Sequence, residues 1–377
     1  MRKPKIVIIG AGPSGGASAL ALAMTGRSEV LVLDKSRYPR VKACGSGLSP
    51  HALTMLGRLQ LRHRFAHGHA KIRGLQAVGP GGGSFHHRAG LEAWVVPRVE
   101  LDATIVQTAV AYGARFEEET KVVALLRDAD DQVRGVKTEA GEIEADLVLC
   151  ADGSPSRFSR DPSPKTTLRT LVGWWRGGAF PEDEARMIWD ERLEGYYAWS
   201  FPEPGGLSNV GLVIPENASD AGRLKDLFRD ILDRYFSDHL VGAEPVGKWI
   251  GHPAVVTTSV GEVGEARALW IGEAARLVSP GTVEGIGFAL ESGITAARHI
   301  DRHFGLQRGF SPLAIRGYRA LTSARVVPKF WVGEAFTRAM ASPTLRQIGR
   351  AVTGGAMRPH LDRALGHFFR GDASHAR

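Results

Sequence analysis

The residues best suited to chemistry near the start of the chain are three glycines that follow a short apolar run, Ile6–Ile9. Gly10, Gly12 and Gly15 have the spacing of a loop that binds phosphate groups through its backbone. Gly10 allows a tight turn, Gly12 lets an anion approach without a β-carbon in the way, and Gly15 permits close packing of a helix on a strand. The loop therefore predicts phosphates at a helix N-terminus, where free N–H groups and the helix dipole favour negative charge.

The segments around this loop predict a βαβ unit. Lys5–Ile9 is expected to form a buried parallel strand, Ser14–Met24 a helix and Val30–Leu33 a second strand. Asp34 ends that strand, 24 residues after Gly10, where a carboxylate can accept hydrogen bonds from ribose hydroxyls. The predicted nucleotide contacts in this region are Gly10, Gly12, Pro13, Ser14, Gly15, Asp34 and Lys35.

A second glycine-rich region lies much further along the chain. It consists of Leu269-Trp270-Ile271-Gly272-Glu273-Ala274-Ala275, then Ser279-Pro280 and Glu284-Gly285-Ile286-Gly287. A dinucleotide needs its pyrophosphate held at one place, whereas a flavin also needs its ribityl chain and ring held at a second place. The two regions together therefore predict FAD rather than NAD.

Other elements must position these two regions. A helix is predicted over Arg98–Ala111, after a strand at Trp94–Val96, because Pro97 is tolerated near a helix N-terminus. Glu142–Cys150 is predicted to be a single strand that leads into the polar stretch from Ala151 to Arg157.

The pattern changes between Leu168 and Ile250, where aromatic-rich segments alternate between apolar and polar residues and predict an antiparallel sheet. The predicted strands are Leu171–Trp175, Met187–Trp189, Tyr196–Phe201 and Asn209–Ile214. A helix over about Ala218–Phe236 is inserted in this sheet, and Ile72–Ala89 is expected to add a hairpin.

These elements predict an α/β fold with a discontinuous Rossmann-like FAD-binding domain, an antiparallel-sheet α+β substrate domain and a C-terminal helical segment. Residues 1–70, 97–165 and 255–304 are expected to form the FAD-binding domain. Residues 71–96 and 166–254 would form the substrate domain, and residues 305–377 the basic helical segment.

Composition excludes several classes of protein. The chain is 43% hydrophobic and 23% charged, which is typical of a globular protein. No apolar run is long enough for a transmembrane helix, and the first apolar run, which stops at Gly10, is too short for a signal peptide. Two cysteines, Cys44 and Cys150, cannot form a disulfide framework, which fits a reducing cytoplasm.

Positive charge is concentrated in residues 305–377, which contain 12 Lys/Arg and 3 Asp/Glu, a net of +9, whereas the whole chain is +8. This segment is either a solvated helical tail or a peripheral contact with anionic lipids at the inner membrane face. The second interpretation rests on its large apolar residues, Phe330, Trp331, Val332, Phe336, Phe368 and Phe369. No nucleic-acid-binding motif accompanies the charge.

The order of these motifs resembles the flavoprotein hydroxylase superfamily, which has the para-hydroxybenzoate hydroxylase fold. Two further stretches are similar to motifs of the geranylgeranyl reductase group within it. One is Tyr38-Pro39-Arg40-Val41-Lys42-Ala43-Cys44-Gly45-Ser46-Gly47-Leu48, and the other is Tyr197-Ala198-Trp199-Ser200-Phe201-Pro202 followed by Asn209-Val210-Gly211. The resemblance spans about residues 5–300.

The resemblance implies how the cofactor is held. Arg98 would contact the FAD phosphates, with Asp152 and Gly153 near the pyrophosphate. The region from Gly272 to Gly287 would place a helix N-terminus at the flavin ring, with contacts from Gly272, Glu273, Gly285 and Ile286. Glu273 departs from the superfamily pattern, which usually has Asp there, so its carboxylate extends one methylene further.

Cys44 and Gly45 would lie beside the flavin on its substrate side, with Cys44 as a proton donor or a flavin contact. A lone cysteine is more often a small buried apolar residue, which is how we interpret Cys150 in its apolar run.

Tyr197, Trp199 and Phe201 alternate along one strand and so point to one face. Judged from the residues alone they are core aromatics, but the resemblance makes them walls of an apolar substrate slot. Trp175 is predicted to belong to that wall, and Trp174 and Trp189 could extend it. Aromatic faces stabilise a developing carbocation, as protonation of an isolated alkene requires.

The implied function is an FAD-dependent oxidoreductase that reduces carbon–carbon double bonds of a prenyl or other hydrophobic substrate by hydride transfer from reduced flavin. No second dinucleotide fold is visible, so NADPH would bind transiently or a ferredoxin-like protein would supply electrons. Two alternatives stay open: a flavin monooxygenase (a hydroxylase or, less favoured, a halogenase) acting on an apolar or aromatic metabolite, and a non-catalytic prenyl-binding protein. No metal site is predicted, because the histidine clusters lack typical ligand spacing.

Overall fold

The computed structural model describes residues 2–79, 84–87, 92–305 and 310–344. Its strands are β1 (Lys5–Ile9), β2 (Glu29–Leu33), β3 (Gly47–Leu48), β4 (Ala70–Ile72), β5 (Gly74–Val78), β6 (Ser84–His87), β7 (Ala93–Val95), β8 (Arg115–Glu117), β9 (Val122–Arg127), β10 (Val133–Thr138), β11 (Glu142–Glu144), β12 (Leu147–Cys150), β13 (Thr166–Gly177), β14 (Glu184–Ile188), β15 (Ala198–Glu203), β16 (Leu207–Pro215), β17 (Ala243–Val256), β18 (Gly264–Glu265) and β19 (Ala268–Trp270). Its α-helices are α1 (Pro13–Thr25), α2 (Pro50–Arg58), α3 (Arg98–Ala111), α4 (Leu224–Tyr235), α5 (Ser237–Leu240), α6 (Ile286–Gly305) and α7 (Pro312–Ala341).

The chain forms two compact units, each built from separate stretches of sequence. The first unit comprises the residues up to Lys42, Arg98–Lys165 and Ala254–Val332. The second comprises Ala43–Pro97, Thr166–Pro253 and the residues from Gly333 onward.

The sheet of the first unit explains how distant motifs meet. Its strands lie in the order β8-β2-β1-β12-β19 and are parallel, and β18 closes one edge in the antiparallel direction. The carboxyl ends of parallel strands lie at one edge of a sheet, which is where ligands bind in such folds. Both glycine-rich regions and Asp34 follow strands of this sheet, so the fold brings them to the same edge.

Helix α1 begins where the glycine loop predicts. Gly12 is its N-cap and Pro13 its first residue, while Gly26, in the left-handed region, ends it. Most of the helix is buried, and it packs against α3 and α6. Small residues allow this close packing, since a β-carbon on Gly16 would lie 2.8 Å from Cγ2 of Ile105.

The second unit is built on a larger sheet with the order β17-β13-β16-β15-β14-β5-β6. The pairs β13–β16, β16–β15 and β15–β14 are antiparallel, whereas β14 and β5 are parallel. Helix α4 covers one face, where Phe228 and Ile231 are fully buried against Val210 and Leu212. A small antiparallel sheet, β3-β7-β4, follows the Cys44 loop, with Leu48 and Lys71 both paired to Trp94.

These features confirm the predicted α/β fold, and they also correct two predicted elements. The predicted strand Glu142–Cys150 is two strands, because Glu142–Glu144 pairs with β10 whereas Leu147–Cys150 joins the parallel sheet. The predicted helix Ala218–Phe236 begins later, at Leu224, after a 3₁₀ turn at Ala221–Arg223. Ser219 and Asp220, which precede this turn, have low helix propensity.

The hairpin predicted over Ile72–Ala89 corresponds to β5 and β6, which pair antiparallel within the large sheet. Residues 80–83 and 88–91 of this region, and Phe368 and Phe369 of the basic segment, lie outside the described residues. Within the described ranges, no helix is both long enough and apolar enough to cross a membrane.

Candidate active site

The glycine loop of the first unit has a geometry that only glycine can adopt. Gly10 has φ +98°, and a β-carbon there would lie 2.5 Å from the carbonyl oxygen of Ala151. A β-carbon on Gly15 would overlap the carbonyl oxygen of Gly10. The start of α1, with Pro13 and Ser14 in its first turn, is therefore held tightly against the end of β1.

Two guanidinium groups flank the helix start at Gly12. A β-carbon there would lie 3.6 Å from Nη2 of Arg40 and 3.8 Å from Nη2 of Arg98. Both cations are oriented by Asp102, a fully buried carboxylate: Arg98 donates to it twice, at 2.8 and 2.6 Å, and Nη2 of Arg40 lies 3.1 Å away. The result is a rigid positive cradle beside a backbone that leaves room for an anion.

Asp34 is buried at the end of β2 and is fixed by backbone donors. Its carboxylate accepts hydrogen bonds from the N–H groups of Ala11, at 2.8 Å, and Ser36, at 2.9 Å. Tyr38 donates to the same carboxylate at 3.3 Å and accepts from Nε of Arg40 at 3.0 Å. Burial, together with the nearby Asp34 charge, raises the pKa of the Tyr38 phenol, so it stays a neutral donor. Lys35, next in sequence, is exposed.

The second glycine-rich region meets the first at the helix start. Gly272 has φ +61°, and a β-carbon there would lie 2.5 Å from Oγ of Ser14. Its N–H group donates to Ser292 of α6 at 2.9 Å. The short 3₁₀ helix Gly272–Ala275 is thus anchored between α1 and α6, and Ile286 is the first residue of α6.

Three residues that lie far from one another in the sequence surround the Glu273 carboxylate. A β-carbon on Gly285 would lie 3.2 Å from its Oε1, and one on Gly153 would lie 3.9 Å from its Oε2. Nζ of Lys42 is 3.5 Å from the same Oε2. The longer side chain at this position therefore reaches a lysine, which compensates for its charge.

Asp152 lies two residues after the end of β12, and the adjacent Gly153 has φ +81°. The carboxylate accepts hydrogen bonds from Oγ of Ser156, at 2.8 Å, and from the N–H group of Arg157, at 2.7 Å. Burial raises the pKa of Asp152, and these hydrogen bonds oppose that shift. The interaction shapes the turn that carries Gly153.

In the second unit, the Cys44 loop lies flat against aromatic rings of β15. A β-carbon on Gly45 would lie 3.1 Å from Cε2 of Phe201 and 3.1 Å from Nε1 of Trp199. One on Gly47 would lie 3.3 Å from the same Phe201 atom. A larger residue at Gly45 or Gly47 would push the loop away from these rings. Within the loop, the N–H group of Ser46 donates to Sγ of Cys44 at 3.3 Å.

A buried polar network fixes this loop to the sheet. Asn209, which is fully buried, donates to the carbonyl oxygen of Cys44 at 2.8 Å and accepts from Nε1 of Trp199 at 2.8 Å. Its amide also donates to Oε1 of Glu203 at 3.1 Å, and Trp174 donates to the same oxygen at 3.1 Å. Burial raises the pKa of the Glu203 carboxyl, although both hydrogen bonds oppose that shift.

The predicted aromatic wall is continuous, but Trp175 is not part of it. Ring centroids are 6.1 Å apart for Tyr197 and Trp199 and 6.3 Å apart for Trp199 and Phe201, and Trp189 lies 5.8 Å from Tyr197. Trp175 instead packs in the core against Phe228 of α4, because neighbouring strand residues point to opposite faces. Trp174 lies on the side of the polar network.

These residues fit FAD. The uncapped helix start at Gly12, the two guanidinium groups beside it and the buried carboxylate of Asp34 are the donors and acceptors that a pyrophosphate and a ribose require. In the described part of the chain, no group of three His, Cys, Asp or Glu side chains could hold a metal ion.

Sequence reasoning overlooked four residues that build these sites. Arg40 and Asp102 complete the phosphate cradle, and Asp102 could have been found because it lies one helical turn after Arg98. Asn209 and Glu203 hold the Cys44 loop. A lone asparagine inside an apolar strand is itself a signal, since buried polar groups require partners.

Comparison with known proteins extends this geometry. Residues 3–220 match a family model described as an FAD binding domain. Menaquinone reductase from Mycobacterium tuberculosis is 32% identical over 343 residues, which cover 85% of this chain and 82% of the relative. Digeranylgeranylglycerophospholipid reductase 1 from Methanopyrus kandleri is 30% identical over 307 residues, covering 76% and 78%.

Solved structures share the fold. A geranylgeranyl bacteriochlorophyll reductase-like protein from Thermoplasma acidophilum aligns with a TM-score of 0.81 at 20% identity, over 92% of this chain and 90% of that one. Flavin-dependent halogenases and a monooxygenase also have this fold, so the fold alone does not distinguish their reactions.

Proposed function

Because the chain belongs to the geranylgeranyl reductase family of FAD-dependent oxidoreductases, we propose that it reduces carbon–carbon double bonds in the prenyl chain of a quinone or lipid. One relative is named for a quinone and another for a lipid with geranylgeranyl groups. A substrate of this kind is apolar over most of its length, so its site must be lined by apolar surface.

The observation that carries the proposal is the contact between the Cys44 loop and the aromatic wall. Tyr197, Trp199 and Phe201 form a row of rings beside Gly45 and Gly47. An isolated alkene accepts a hydride only if it is polarised, and aromatic faces stabilise the positive charge that then develops. An apolar wall also excludes water, which would otherwise react with the positively charged carbon.

Saturation of one double bond adds a hydride and a proton. FAD, when bound and reduced, supplies the hydride. Sγ of Cys44 accepts a hydrogen bond from the Ser46 N–H group, and Asn209 fixes the backbone of Cys44. In this proposal the Cys44 thiol gives its proton to the alkene carbon or contacts the flavin, while the aromatic wall orients the chain.

The residues of the first unit hold the cofactor. Arg98 and Arg40, oriented by Asp102, would neutralise the pyrophosphate at the start of α1. Asp34 and Lys35 would bind the ribose, and Gly153, Gly272, Glu273, Gly285 and Ile286 would hold the ribityl chain and ring. The start of α6 at Ile286 contributes a partial positive charge that favours an electron-rich ring.

The electrons come from outside the chain, from NADPH that binds transiently or from a small electron-transfer protein. Because the substrate resides in a membrane, the enzyme works at the surface of a lipid bilayer.

The test is turnover without oxygen. The purified protein is reduced by dithionite, then mixed in detergent with a geranylgeranylated glycerophospholipid or with a menaquinol, whose ring is already reduced and can accept no electrons from the flavin. We expect the absorbance of oxidised flavin to return and the lipid mass to rise by two hydrogens for each bond reduced. A saturated analogue of the same lipid is the control and should leave the flavin reduced.

Failure of every prenyl lipid to reoxidise the flavin would overturn the proposal. Incorporation of oxygen from O₂ into an apolar product, with NADPH consumed, would instead identify a monooxygenase of the same fold. A colourless purified protein that binds prenyl lipid would identify a non-catalytic carrier.

A further inference from the structure

Helix α7, which begins at Pro312, has one face in the core of the first unit. Tyr318 and Phe330 are fully buried and Val326 is 2% exposed. The Phe330 ring packs edge-on against Phe288 of α6, with centroids 5.1 Å apart. This face accounts for the ordinary packing of the helix.

The opposite face is also apolar, which is unusual for a surface helix. Leu313 is 70% exposed and Trp331 65% exposed, and eighteen residues, or five full turns, place them on the same side. Between them lies a row of exposed apolar residues. We refer to these exposed apolar residues as the outer stripe, which consists of Leu313, Leu321, Ala324, Pro328, Trp331 and Val332.

Positive charges border the outer stripe on both sides. The helical rotation places Arg316 along one edge and Arg325 and Lys329 along the other, and all three are exposed. Nη1 of Arg325 donates to Thr295 at 2.6 Å, and Nζ of Lys329 lies over the Phe288 ring and 4.0 Å from Oε2 of Glu291, so both side chains extend along α6. The sequence of α7 contains a single acidic residue, Glu334.

We infer that the outer stripe of α7 is the surface by which this protein docks on an anionic lipid bilayer. Exposed Leu and Trp side chains between rows of Arg and Lys are what such a surface requires: the apolar groups enter the boundary between headgroups and acyl chains while the cations pair with phosphates. The inference rests on the proposed function only in that a prenyl lipid must be taken from a membrane.

Charge argues against two other occupants of this face. A second copy of the chain would bring the same arginines and lysine against this stripe, so like charges would oppose pairing. The sequence beyond Thr344 contains six arginines and two aspartates, so it is not complementary either. An anionic bilayer satisfies both the apolar stripe and the charges beside it.

The test is flotation of the full-length purified protein with vesicles. One set contains equal parts of phosphatidylglycerol and phosphatidylcholine, and the other contains phosphatidylcholine alone. We expect binding to the anionic vesicles only, weakened at about 0.5 M NaCl because salt screens the charges. Trp331→Glu and Leu321→Glu should each lower the bound fraction by about tenfold, and Arg316→Gln by about fivefold.

Val241→Glu is the matched control, because Val241 is likewise an exposed apolar residue, 74% exposed, that does not belong to α7; it should bind like the wild type. Trp331→Phe should also bind, since it keeps an apolar ring. Equal binding to neutral vesicles, or unchanged binding by Trp331→Glu and Leu321→Glu, would overturn the inference. If Trp331→Glu and Leu321→Glu instead have a lower molecular mass than the wild type on gel filtration, with unchanged flotation, the outer stripe is the interface with a second copy of the chain.

Flotation requires no turnover, so its result is independent of the proposed reaction. Variants of the outer stripe should retain bound flavin and full activity on substrate dissolved in detergent, and lose activity only on substrate embedded in anionic vesicles.

Discussion

The phosphate cradle of the first unit and the aromatic wall of the second are built in different ways. The shape of the cradle depends mainly on backbone conformation at strand ends, because Gly10, Gly15 and Gly272 occupy positions where a β-carbon would collide with neighbouring atoms. In the wall, side chains of β13, β15 and β16 interlock through Asn209 and Glu203, and Asn209 also holds the backbone carbonyl of Cys44.

This difference predicts how each region fails. Backbone atoms in the phosphate cradle cannot move aside, so one added methyl group should abolish cofactor binding. A side-chain network loses its interactions one at a time, so substitutions there should reduce stability and turnover in steps while the cofactor stays bound. The following variants test that contrast.

Gly15→Ala should have the largest effect. A methyl group would overlap the carbonyl oxygen of Gly10 and displace the start of α1. We expect loss of the yellow flavin colour and about 4 kcal/mol or more of destabilisation. Gly57→Ala, in α2, is the control, because a β-carbon there meets no atom within 4 Å, and it should be neutral or slightly stabilising. Flavin content and thermal melting measure both. Normal flavin content in Gly15→Ala would contradict the idea of a rigid cradle.

Arg98→Met tests the side-chain part of the cradle. The variant leaves the buried Asp102 carboxylate with Arg40 as its remaining charged partner in the cradle. We expect about 3 kcal/mol of destabilisation, measured by denaturant unfolding, and FAD affinity weakened by at least about tenfold, measured by flavin titration. Arg115→Met is the control, since that exposed pair with Glu117 should contribute less than about 0.5 kcal/mol. Equal effects of the two variants would show that burial of the Arg98 pair is unimportant.

The contrast between the two regions also explains what the sequence could predict. The strand at Lys5–Ile9, the helix at Arg98–Ala111 and the fold class follow from local patterns, and the fold and family are confirmed. The break between β11 and β12 was not predictable in this way, because β11 pairs with β10 and β12 with β1, and neither partner is visible in a window of nine residues.

The same limit applies to the sites. Gly10 and Asp34 are predictable because their roles depend on the adjacent strand ends. Arg40 joins the cradle only because the fold brings it to Asp102, 62 residues later in the chain. Trp174 and Trp175 show the limit within one strand: composition makes both candidates for the wall, and only the direction of the strand decides that Trp175 belongs to the core.

Asn209→Leu should affect the second unit alone. It removes hydrogen bonds to Trp199, Glu203 and the Cys44 carbonyl, all of them buried or half-buried, and should cost about 2 to 3 kcal/mol. We expect slower turnover with unchanged flavin content, measured by the anaerobic reoxidation assay. Thr170→Val, which removes two hydrogen bonds with the His252 backbone in the same sheet, should cost about 1 to 2 kcal/mol and leave turnover intact. Loss of flavin in Asn209→Leu would mean that the two regions are not independent.

The smallest effect should be a dependence on pH from Glu203. Burial raises the pKa of this carboxyl in the folded protein, so the folded state favours its protonated form. That contribution to stability is complete below the ordinary pKa of 4.5 and is lost as the pH rises through the folded value. The glutamine in Glu203→Gln stays neutral at every pH. The melting temperature of this variant should therefore rise relative to that of the wild type as the pH is raised from about 4.5 toward neutrality. A difference between Glu203→Gln and wild type that stays constant with pH would mean that Glu203 is ionised in the folded protein, and the network would then hold a buried charge rather than a neutral acid.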